Sequence, residues 1–363
     1  MRISPAPRLL SAGLGVLALA GVVAAAPCPS TSTPAEIPLS GVRPFALAFD
    51  GARLWATDFQ GDRLLALDPV SAAILLDTTV AGGPPILDGR DLVLEGENVW
   101  VASQGDGGVF RVRRADAVVT YQTDVGSEAS GLAFDGTHLW VSNRLTNEVT
   151  RFLASDGSGV RTLDLTDSAG GVQQLAWDGI CLWALNGPSD RLYELGVAGD
   201  GSPLLVETID LGVVTDARSL FWSSPYLWVG DRAARRLLRY RVSGGTPGGP
   251  CLGRVLALDG WIDLPAINPL DVTALAAAGP FLFAADGTND LLEQIPRDGG
   301  NATFSVLGPD ATPVGLAATR GWLWSANYGG SSPSSGRSIA RVPLLGWASF
   351  EDGAVDTCWL GAS

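Results

Sequence analysis

Hydrophobic residues recur along this chain in a long-period pattern, in which a leucine is followed seven residues later by Leu-Trp or a close variant. The copies are Leu47 with Leu54-Trp55, Leu92 with Val99-Trp100, Leu132 with Leu139-Trp140, Leu175 with Leu182-Trp183, Leu220 with Leu227-Trp228, Leu275 with Leu282-Phe283 and Leu316 with Leu323-Trp324. Successive copies start 45, 40, 43, 45, 55 and 41 residues apart. A period of this length is typical of stacked β units such as propeller blades.

Repeat three shows how one copy becomes one blade. An apolar strand at 131–134 ends at Asp135-Gly136, whose glycine supplies the positive φ of a tight hairpin, and the apolar strand of Leu139-Trp140 returns. Two strands of alternating polar and apolar residues follow, as expected of outer strands. Because the inner strands are apolar on both faces, both faces must be covered, and stacked blades achieve this for every copy.

We therefore predict an all-β fold, a seven-bladed β-propeller with four antiparallel strands per blade, over residues 36–347. The N-terminal strand that starts at residue 36 is expected to join the last blade and close the ring. The widest spacing, 55 residues, places an insertion between Ser243 and Pro269.

The two ends of the chain lie outside the repeats. Residues 1–25 have the features of a signal peptide: Arg2 and Arg8, then an apolar stretch at 9–23, then small residues. Residues 26–35 form a Pro/Ser/Thr-rich start of the mature chain, and residues 348–363 form a C-terminal tail. We expect a secreted, periplasmic or extracellular protein without stable membrane insertion; the alternatives are lipid attachment at Cys28 and an uncleaved anchor.

The four cysteines predict two disulfides in an exported chain, with three possible connectivities. Cys28 and Cys358 flank the repeats, and a closed ring brings its ends together. Cys181 lies in the first hairpin turn of repeat four and Cys251 in a loop of repeat five, so both should open on the same face of adjacent blades. The predicted pairs are Cys28–Cys358 and Cys181–Cys251.

The charged residues of the chain exclude some classes of partner and of chemistry. The formal net charge is −14, and all 24 basic residues are arginine. A chain without a basic footprint is not expected to bind nucleic acid. The absence of lysine excludes Schiff-base chemistry and a lysine general base.

Two stretches carry a resemblance to a known family: residues 134–143 and residues 49–58, each with a strand, Asp-Gly and Leu-Trp. These repeats resemble the YVTN and NHL types of β-propeller, and in particular the streptogramin-lyase-like group. The resemblance covers nearly the whole mature chain and implies the propeller fold. For the lyases it also implies histidine and a metal-binding acid, and for the peptide-amidating lyases several histidine ligands. The single histidine here, His138, is predicted to lie opposite the usual pocket, so neither activity nor a Ser-His-Asp triad is expected.

One register position carries only Asp, Asn or Ser, four places after each second-strand leucine or its equivalent. Its residues are Asp58, Ser103, Asn143, Asn186, Asp231, Asp286 and Asn327. Such oxygens suit Ca²⁺, and a gluconolactonase-like metal site would combine Glu128 with Asn143, Asn186 and Asp231. Alternatively, each side chain caps its own turn. Sevenfold recurrence favours capping, because a metal needs only a few ligands whereas every turn needs one cap.

Residues on the same predicted face that differ between repeats are better candidates for a ligand site. They precede the inner strands and are Arg90, Asp91, Glu128, Gln173, Gln174, Asp216, Arg218, Asn268, Asp271 and Thr312. Arg90 and Arg218 stand out, because a guanidinium at the channel mouth can bind a carboxylate in bidentate fashion. The alternative is that these arginines pair with the adjacent acids, Asp91 and Asp216.

Two functions are therefore open. The first is a secreted, non-catalytic and monomeric propeller that needs no cofactor and binds a protein, glycan or small molecule at its top face and channel mouth. The second is a metal-dependent hydrolase, lactonase or lyase-like enzyme of the Ca²⁺ type that uses Asp, Asn and Glu. Trp261, Trp347 and Trp359 lie outside the repeated positions and are candidate partner contacts.

Overall fold

Seven four-stranded antiparallel sheets account for the described part of the chain. The computed structural model describes residues 35–344, except 127, 167–169, 246–250, 252, 265–271, 298–302, 308–310, 320–321 and 330–336. The expected signal peptide, the C-terminal tail and the Cys28–Cys358 pair lie outside these residues, as do Asn268, Asp271, Trp347 and Trp359. Among the described residues, no helix is long and apolar enough to cross a membrane.

The strands follow one another along the chain with a single 3-10 helix between them, at Gly187–Ser189. They are β1 (Ala35–Pro38), β2 (Pro44–Phe49), β3 (Leu54–Asp58), β4 (Arg63–Leu67), β5 (Ile74–Asp77), β6 (Gly89–Glu95), β7 (Asn98–Ser103), β8 (Gly108–Arg113), β9 (Val119–Asp124), β10 (Ala129–Phe134), β11 (His138–Asn143), β12 (Glu148–Leu153), β13 (Arg161–Asp164), β14 (Gln174–Trp177), β15 (Leu182–Asn186), β16 (Arg191–Val197), β17 (Pro203–Asp210), β18 (Ala217–Ser223), β19 (Tyr226–Asp231), β20 (Arg236–Gly244), β21 (Arg254–Asp263), β22 (Val272–Ala278), β23 (Phe281–Asp286), β24 (Leu291–Pro296), β25 (Thr303–Val306), β26 (Pro313–Thr319), β27 (Trp322–Asn327) and β28 (Ser338–Pro343).

The blades close into a ring, as the repeats predicted. Blades 1 to 6 are formed by β2–β5, β6–β9, β10–β13, β14–β17, β18–β21 and β22–β25. Blade 7 combines β26, β27 and β28 with β1, which pairs antiparallel with β28. The innermost strands contact one another in cyclic order, with β26 against β2. The seven-bladed propeller and its N-terminal closing strand are confirmed.

The hydrophobic core lies between the blades. The tryptophans of the six Leu-Trp or Val-Trp pairs are fully buried, and each apolar cluster draws on two adjacent blades. The cluster around Trp140 of blade 3, for example, includes Leu182 and Leu195 of blade 4. Burial of large aromatic side chains contributes most of the stabilising free energy of such a core. The repeated Leu-Trp pairs therefore hold adjacent blades together.

The aspartate of the Asp-Gly turn also binds the repeated tryptophan. In blade 1, Asp50 Oδ2 accepts the indole N–H of Trp55 at 2.8 Å, while Oδ1 accepts the backbone N–H groups of Ala52 and Arg53. Blades 3 and 4 repeat this arrangement with Asp135 and Asp178. In blades 2, 5 and 7, whose turns lack the aspartate, the buried indole N–H has no acceptor among the described residues.

We expect Asp50→Ala to lower the free energy of unfolding by about 2 kcal/mol, because it leaves a buried indole N–H and two turn N–H groups without acceptors. The matched control is Glu95→Ala, at the same position of blade 2, where the Trp100 indole already lacks an acceptor. Chemical denaturation of both variants tests this. Equal losses in the two variants would contradict the assigned role of the aspartate.

The insertion of repeat five lengthens the outer hairpin of blade 5. β20 has nine residues and β21 has ten, against four to six in most outer strands. Cys251, just before β21, forms a disulfide with Cys181 in the turn between β14 and β15, which confirms that predicted pair. Trp261 lies on β21 and is 52% exposed, with the Arg236 guanidinium 5.3 Å from its ring.

Candidate functional site

The upper face of the ring is the end at which the innermost strands begin and the second strands end. Antiparallel pairing brings these ends together: Gly89 pairs with Ser103 and Ala129 pairs with Asn143. The recurring Asp/Asn/Ser residues and those non-repeating candidates that the structure describes therefore share this face.

Most of the recurring Asp and Asn residues cap turns. Asp58, Asn143, Asn186, Asp231 and Asp286 each accept a hydrogen bond from a backbone N–H two or three residues later. All of these side chains are buried. The capping interpretation is confirmed for these five blades.

The four residues of the suggested metal site are held by protein donors. Glu128 accepts from Arg144 at 2.9 Å, Asn143 and Asn186 cap their turns, and Asp231 Oδ2 accepts the backbone N–H of Thr215 at 3.3 Å.

A different group of three potential ligands occurs among the described residues, formed by Cys181, Glu194 and Cys251, whose ligand atoms lie within 4.8 Å of one another. Its two sulfur atoms are joined in the disulfide. Because a metal needs thiolates rather than a disulfide, this group does not form a metal site in the oxidised protein.

Among the described residues, three acids stand immediately before an innermost strand: Asp88, Glu128 and Asp216. Their carbonyl oxygens accept the backbone N–H of Gln104, Arg144 and Arg232 respectively, so the three positions are equivalent. In blades 3 and 5 the arginine neutralises the acid, at 2.9 Å in Glu128–Arg144 and 2.6 Å in Asp216–Arg232. Blade 2 has an uncharged glutamine there, and no described residue donates a hydrogen bond to the Asp88 carboxylate.

The two candidate arginines have different environments. Arg218 Nε lies 2.8 Å from Asp216 Oδ1, which is the ion pair that the sequence offered as the alternative to ligand binding. Arg90 does not pair with Asp91, and no described carboxylate lies within 4.0 Å of it. It donates from Nε to Gln104 Oε1, and its guanidinium lies 4.8 Å and 5.0 Å from the ring centroids of Phe45 and Phe59.

An aromatic platform from blades 1 and 7 holds Arg90. Phe45, Phe59 and Tyr328 contact one another, with ring centroids 5.5–5.8 Å apart. Arg43 covers the Tyr328 ring at 3.8 Å and donates to the Tyr328 carbonyl oxygen. Cation–π contacts of this kind fix a guanidinium without neutralising it, so Arg90 is positioned and remains charged.

A cleft opens beside this platform on the upper face. It measures about 430 Å³ and is lined by Phe59, Asp88, Arg90, Gln104, Gly105, Asp106, Glu128 and Leu145. Leu145 is 62% exposed and gives the cleft an apolar side chain. The volume falls in the range of sites for small molecules. A second recess shares Phe59, Asp88 and Gly105 with it and adds Arg43 and Asp62.

Charges in the cleft are partly desolvated. Burial raises the pKa of Asp88, and the nearby Asp62 carboxylate raises it further. Burial lowers the pKa of Arg90, and the charge of Arg144 acts in the same direction. Arginine stays protonated under such a shift, so the cleft presents a fixed cation, Arg90, and the Asp88 carboxylate, and Asp62 of the second recess lies beside Asp88.

Other predicted ligand residues have structural partners. Asp91 Oδ1 and Oδ2 accept the backbone N–H groups of Leu92 and Leu132, so this side chain fastens blade 2 to blade 3. Burial raises the pKa of Asp91 to about 6. Gln174 makes the corresponding bond to Leu220, and the Gln173 carbonyl accepts from Ser130.

Phe59, Asp88, Gln104 and Leu145 line the cleft but were not among the sequence-based candidates. A signal for Phe59 and Gln104 was present, because they directly follow the recurring Asp/Asn/Ser residue and differ between repeats. A comparison of the residues that follow each second strand, blade by blade, identifies both.

Comparison with known proteins gives a fold but no family. No family model matches the chain, and no curated protein matches it. Solved β-propellers do match: a streptogramin B lyase aligns over 85% of this chain and 96% of its own, with 13% identity and a TM-score of 0.66. The chain has a propeller fold of the streptogramin-lyase-like type. The Swd1 β-propeller domain of Myceliophteria thermophila aligns over 85% of this chain and 99% of its own, with 12% identity and a TM-score of 0.67. The RRP9 WD40 repeats align over 86% of this chain and 97% of their own, with 14% identity and a TM-score of 0.65. Lyases and WD40 domains thus share this fold, so the fold does not select a function.

The single histidine takes no part in the cleft. His138 begins β11 at the lower end of blade 3, where its Nδ1 lies 2.9 Å from Arg151 Nη2. Burial lowers the pKa of His138, and the charge of Arg151 lowers it further. The imidazole is therefore a neutral hydrogen-bond acceptor within the blade.

Proposed function

We propose that this protein is a non-catalytic binding protein that takes a small organic ligand with a carboxylate and an apolar part in the upper-face cleft. The observation that carries the proposal is the Arg90 guanidinium, which lines the cleft, is fixed on two aromatic rings and lacks a carboxylate partner among the described residues. A ligand carboxylate would supply that partner through charge-assisted hydrogen bonds.

The apolar walls support the same proposal. Phe59 presents an aromatic surface, and Leu145 stands exposed at the cleft. A hydrocarbon group that covers both side chains would remove apolar surface from water, which favours binding by about 25 cal/mol for each Å² buried. A cleft with one fixed cation and an apolar wall is complementary to an amphiphilic carboxylate.

The lining favours binding over catalysis. None of the eight lining residues carries a hydroxyl, thiol or imidazole group. Of the carboxylates, Glu128 is paired with Arg144, and Asp106 Oδ1 accepts from Ser103 Oγ and the Gly108 N–H. Serine, threonine, cysteine, histidine and lysine side chains are therefore absent from this lining, and of its three carboxylates only that of Asp88 accepts no hydrogen bond from a described residue.

A suitable probe is hydrocinnamate, a phenyl ring joined to a carboxylate by a short chain, together with its uncharged amide. We expect calorimetric titration to show binding of hydrocinnamate and much weaker binding of the amide. Arg90→Ala should weaken hydrocinnamate binding by at least about tenfold, the effect of losing a charge-assisted hydrogen bond.

The matched control is Arg218→Ala, since Arg218 stands at the equivalent place in blade 5 but is neutralised by Asp216. This variant should bind hydrocinnamate within about twofold of the wild type. Equal affinity for acid and amide, or equal loss in the two arginine variants, would refute the assignment of Arg90 as the carboxylate anchor.

We also propose that the protein is exported. Support comes from the N-terminal sequence and from the buried Cys181–Cys251 disulfide, because such bonds persist in oxidising compartments. N-terminal sequencing of protein recovered from the periplasm or medium should show a chain that starts at Ala26. Recovery of the uncleaved chain from the cytoplasm would contradict export.

A further inference from the structure

Blades 2 and 5 carry the same pattern at the channel mouth, Asp88-Gly89-Arg90 and Asp216-Ala217-Arg218. In blade 5 the acid lies 2.8 Å from Arg218 and 2.6 Å from Arg232, so the charges are neutralised within the blade. In blade 2 the corresponding acid and arginine form no ion pair within 4.0 Å. The same local sequence thus gives a closed charge cluster in one blade and an open one in the other.

One substitution between the blades and two aromatic rings of blade 1 accompany this difference. Gln104 stands where blade 5 has Arg232, so Asp88 loses its cationic neighbour, and the Gln104 amide oxygen holds Arg90 instead. The aromatic rings of Phe45 and Phe59 then fix Arg90 on the blade 1 side. As a result, a cation and an anion line one cleft without contacting each other.

The acidic side of the cleft is complementary to a positively charged group. Asp62 Oδ1 accepts the backbone N–H of Asp88 at 3.3 Å, which places two acidic residues side by side. Burial raises the pKa of Asp88 and the Asp62 carboxylate raises it further, and the more distant Arg90 charge offsets only part of this rise. A cationic group at Asp88 would offset the repulsion, as Arg144 and Arg232 offset the charge of the equivalent acids.

We propose that the cleft binds a zwitterion, an amino acid or dipeptide with an apolar side chain. Its carboxylate would pair with Arg90, its ammonium group with Asp88, and its side chain would cover Phe59 and Leu145. The inference rests on the proposed carboxylate site and adds an ammonium subsite to it. A cleft of about 430 Å³ accommodates a ligand of this size.

Two matched ligand pairs isolate the ammonium group. Phenylalanine differs from hydrocinnamate only by its α-ammonium, and glycyl-phenylalanine differs from N-acetyl-phenylalanine in the same way. Calorimetric titration of the wild type should show that the amine-bearing member of at least one pair binds about tenfold more tightly, a typical gain for a partly buried ion pair.

Variants of blade 2 test the assignment to Asp88. Asp88→Asn should remove the preference for the amine, and hydrocinnamate should bind at least as tightly as to the wild type, because a carboxylate that repels the ligand carboxylate is gone. Gln104→Arg should also remove it, because the new arginine can pair with Asp88 as Arg232 pairs with Asp216. The control, Asp216→Asn in blade 5, should keep the preference.

The outcomes separate this inference from the proposed function. Hydrocinnamate binding with no amine preference in either pair would overturn the zwitterion and leave the carboxylate site standing. A preference that survives Asp88→Asn would overturn the role of Asp88. If none of the four ligands binds, the carboxylate site itself is wrong and the inference falls with it.

Discussion

Removal of the Cys181–Cys251 disulfide is expected to lower the free energy of unfolding by about 2–4 kcal/mol. The bond joins positions 70 residues apart in sequence and links a turn of blade 4 to the long outer hairpin of blade 5. Without it, the unfolded chain gains the conformational entropy that the cross-link had removed. The free energy of unfolding is measured by urea denaturation of the wild type and of the Cys181→Ala/Cys251→Ala double variant, with tryptophan fluorescence as the signal.

The double variant avoids a leftover free thiol, which could form new disulfides between molecules. A shift of the midpoint to lower urea would show the loss of stability, and a steeper slope would show that the unfolded chain is less compact without the cross-link. A midpoint equal to that of the wild type would mean that the bond contributes nothing to holding blades 4 and 5 together.

Replacement of Glu293 by leucine is expected to stabilise the protein, and more so at alkaline pH. Glu293 is only 1% exposed in blade 6, and within the described part of the chain neither of its carboxylate oxygens has a hydrogen-bond partner. It pairs across the ladder with Ala284, which belongs to the apolar cluster of blades 5 and 6. Leu65 and Leu238 occupy the equivalent positions of blades 1 and 5, so leucine fits this place.

The pH dependence follows from the direction of the pKa shift. Burial raises the pKa of Glu293 to about 8, and the Asp286 charge contributes, whereas the ordinary glutamate value is 4.5. Since the folded state binds the proton more tightly, stability is greatest below the unfolded pKa and falls as the pH rises towards the folded pKa. Deprotonation of Glu293 then leaves an uncompensated buried charge.

We expect Glu293→Leu to raise the free energy of unfolding by about 2–4 kcal/mol at alkaline pH and by less at about pH 5. Glu293→Gln removes the charge but keeps a buried polar group, and should give a smaller gain. Denaturation at both pH values measures this. If the wild type and Glu293→Leu lose the same free energy of unfolding between about pH 5 and alkaline pH, the loss has another source. One such source is Glu194, because burial and the nearby Glu207 and Asp178 raise the pKa of its carboxyl to about 7.

The blades could be predicted from the sequence because their determinants are local and repeated. Leu-Trp, the Asp-Gly turn and the capping residues act within a few residues of one another, and seven copies reveal them. The closing strand at Ala35–Pro38 could also be predicted, because a ring of similar blades leaves one strand position to fill. The Cys181–Cys251 pair followed from the same geometry.

The site could be predicted only in part, because side chains from different blades decide it. Arg90 and Arg218 are alike in sequence, and the rings of Phe45 and Phe59, from another blade, determine that Arg90 turns away from its acidic neighbour. Asp91 was expected near a ligand or paired with Arg90, yet it binds a backbone N–H of the next blade. No local pattern contains such contacts between blades.

The most direct test of the central claim is a crystal structure of the protein with bound hydrocinnamate. We predict electron density for the ligand in the upper-face cleft, with its carboxylate on the Arg90 guanidinium and its phenyl ring against Phe59 and Leu145. Density at Arg218, or at a site away from the upper face, would contradict the claim that the open charge cluster of blade 2 is the binding site.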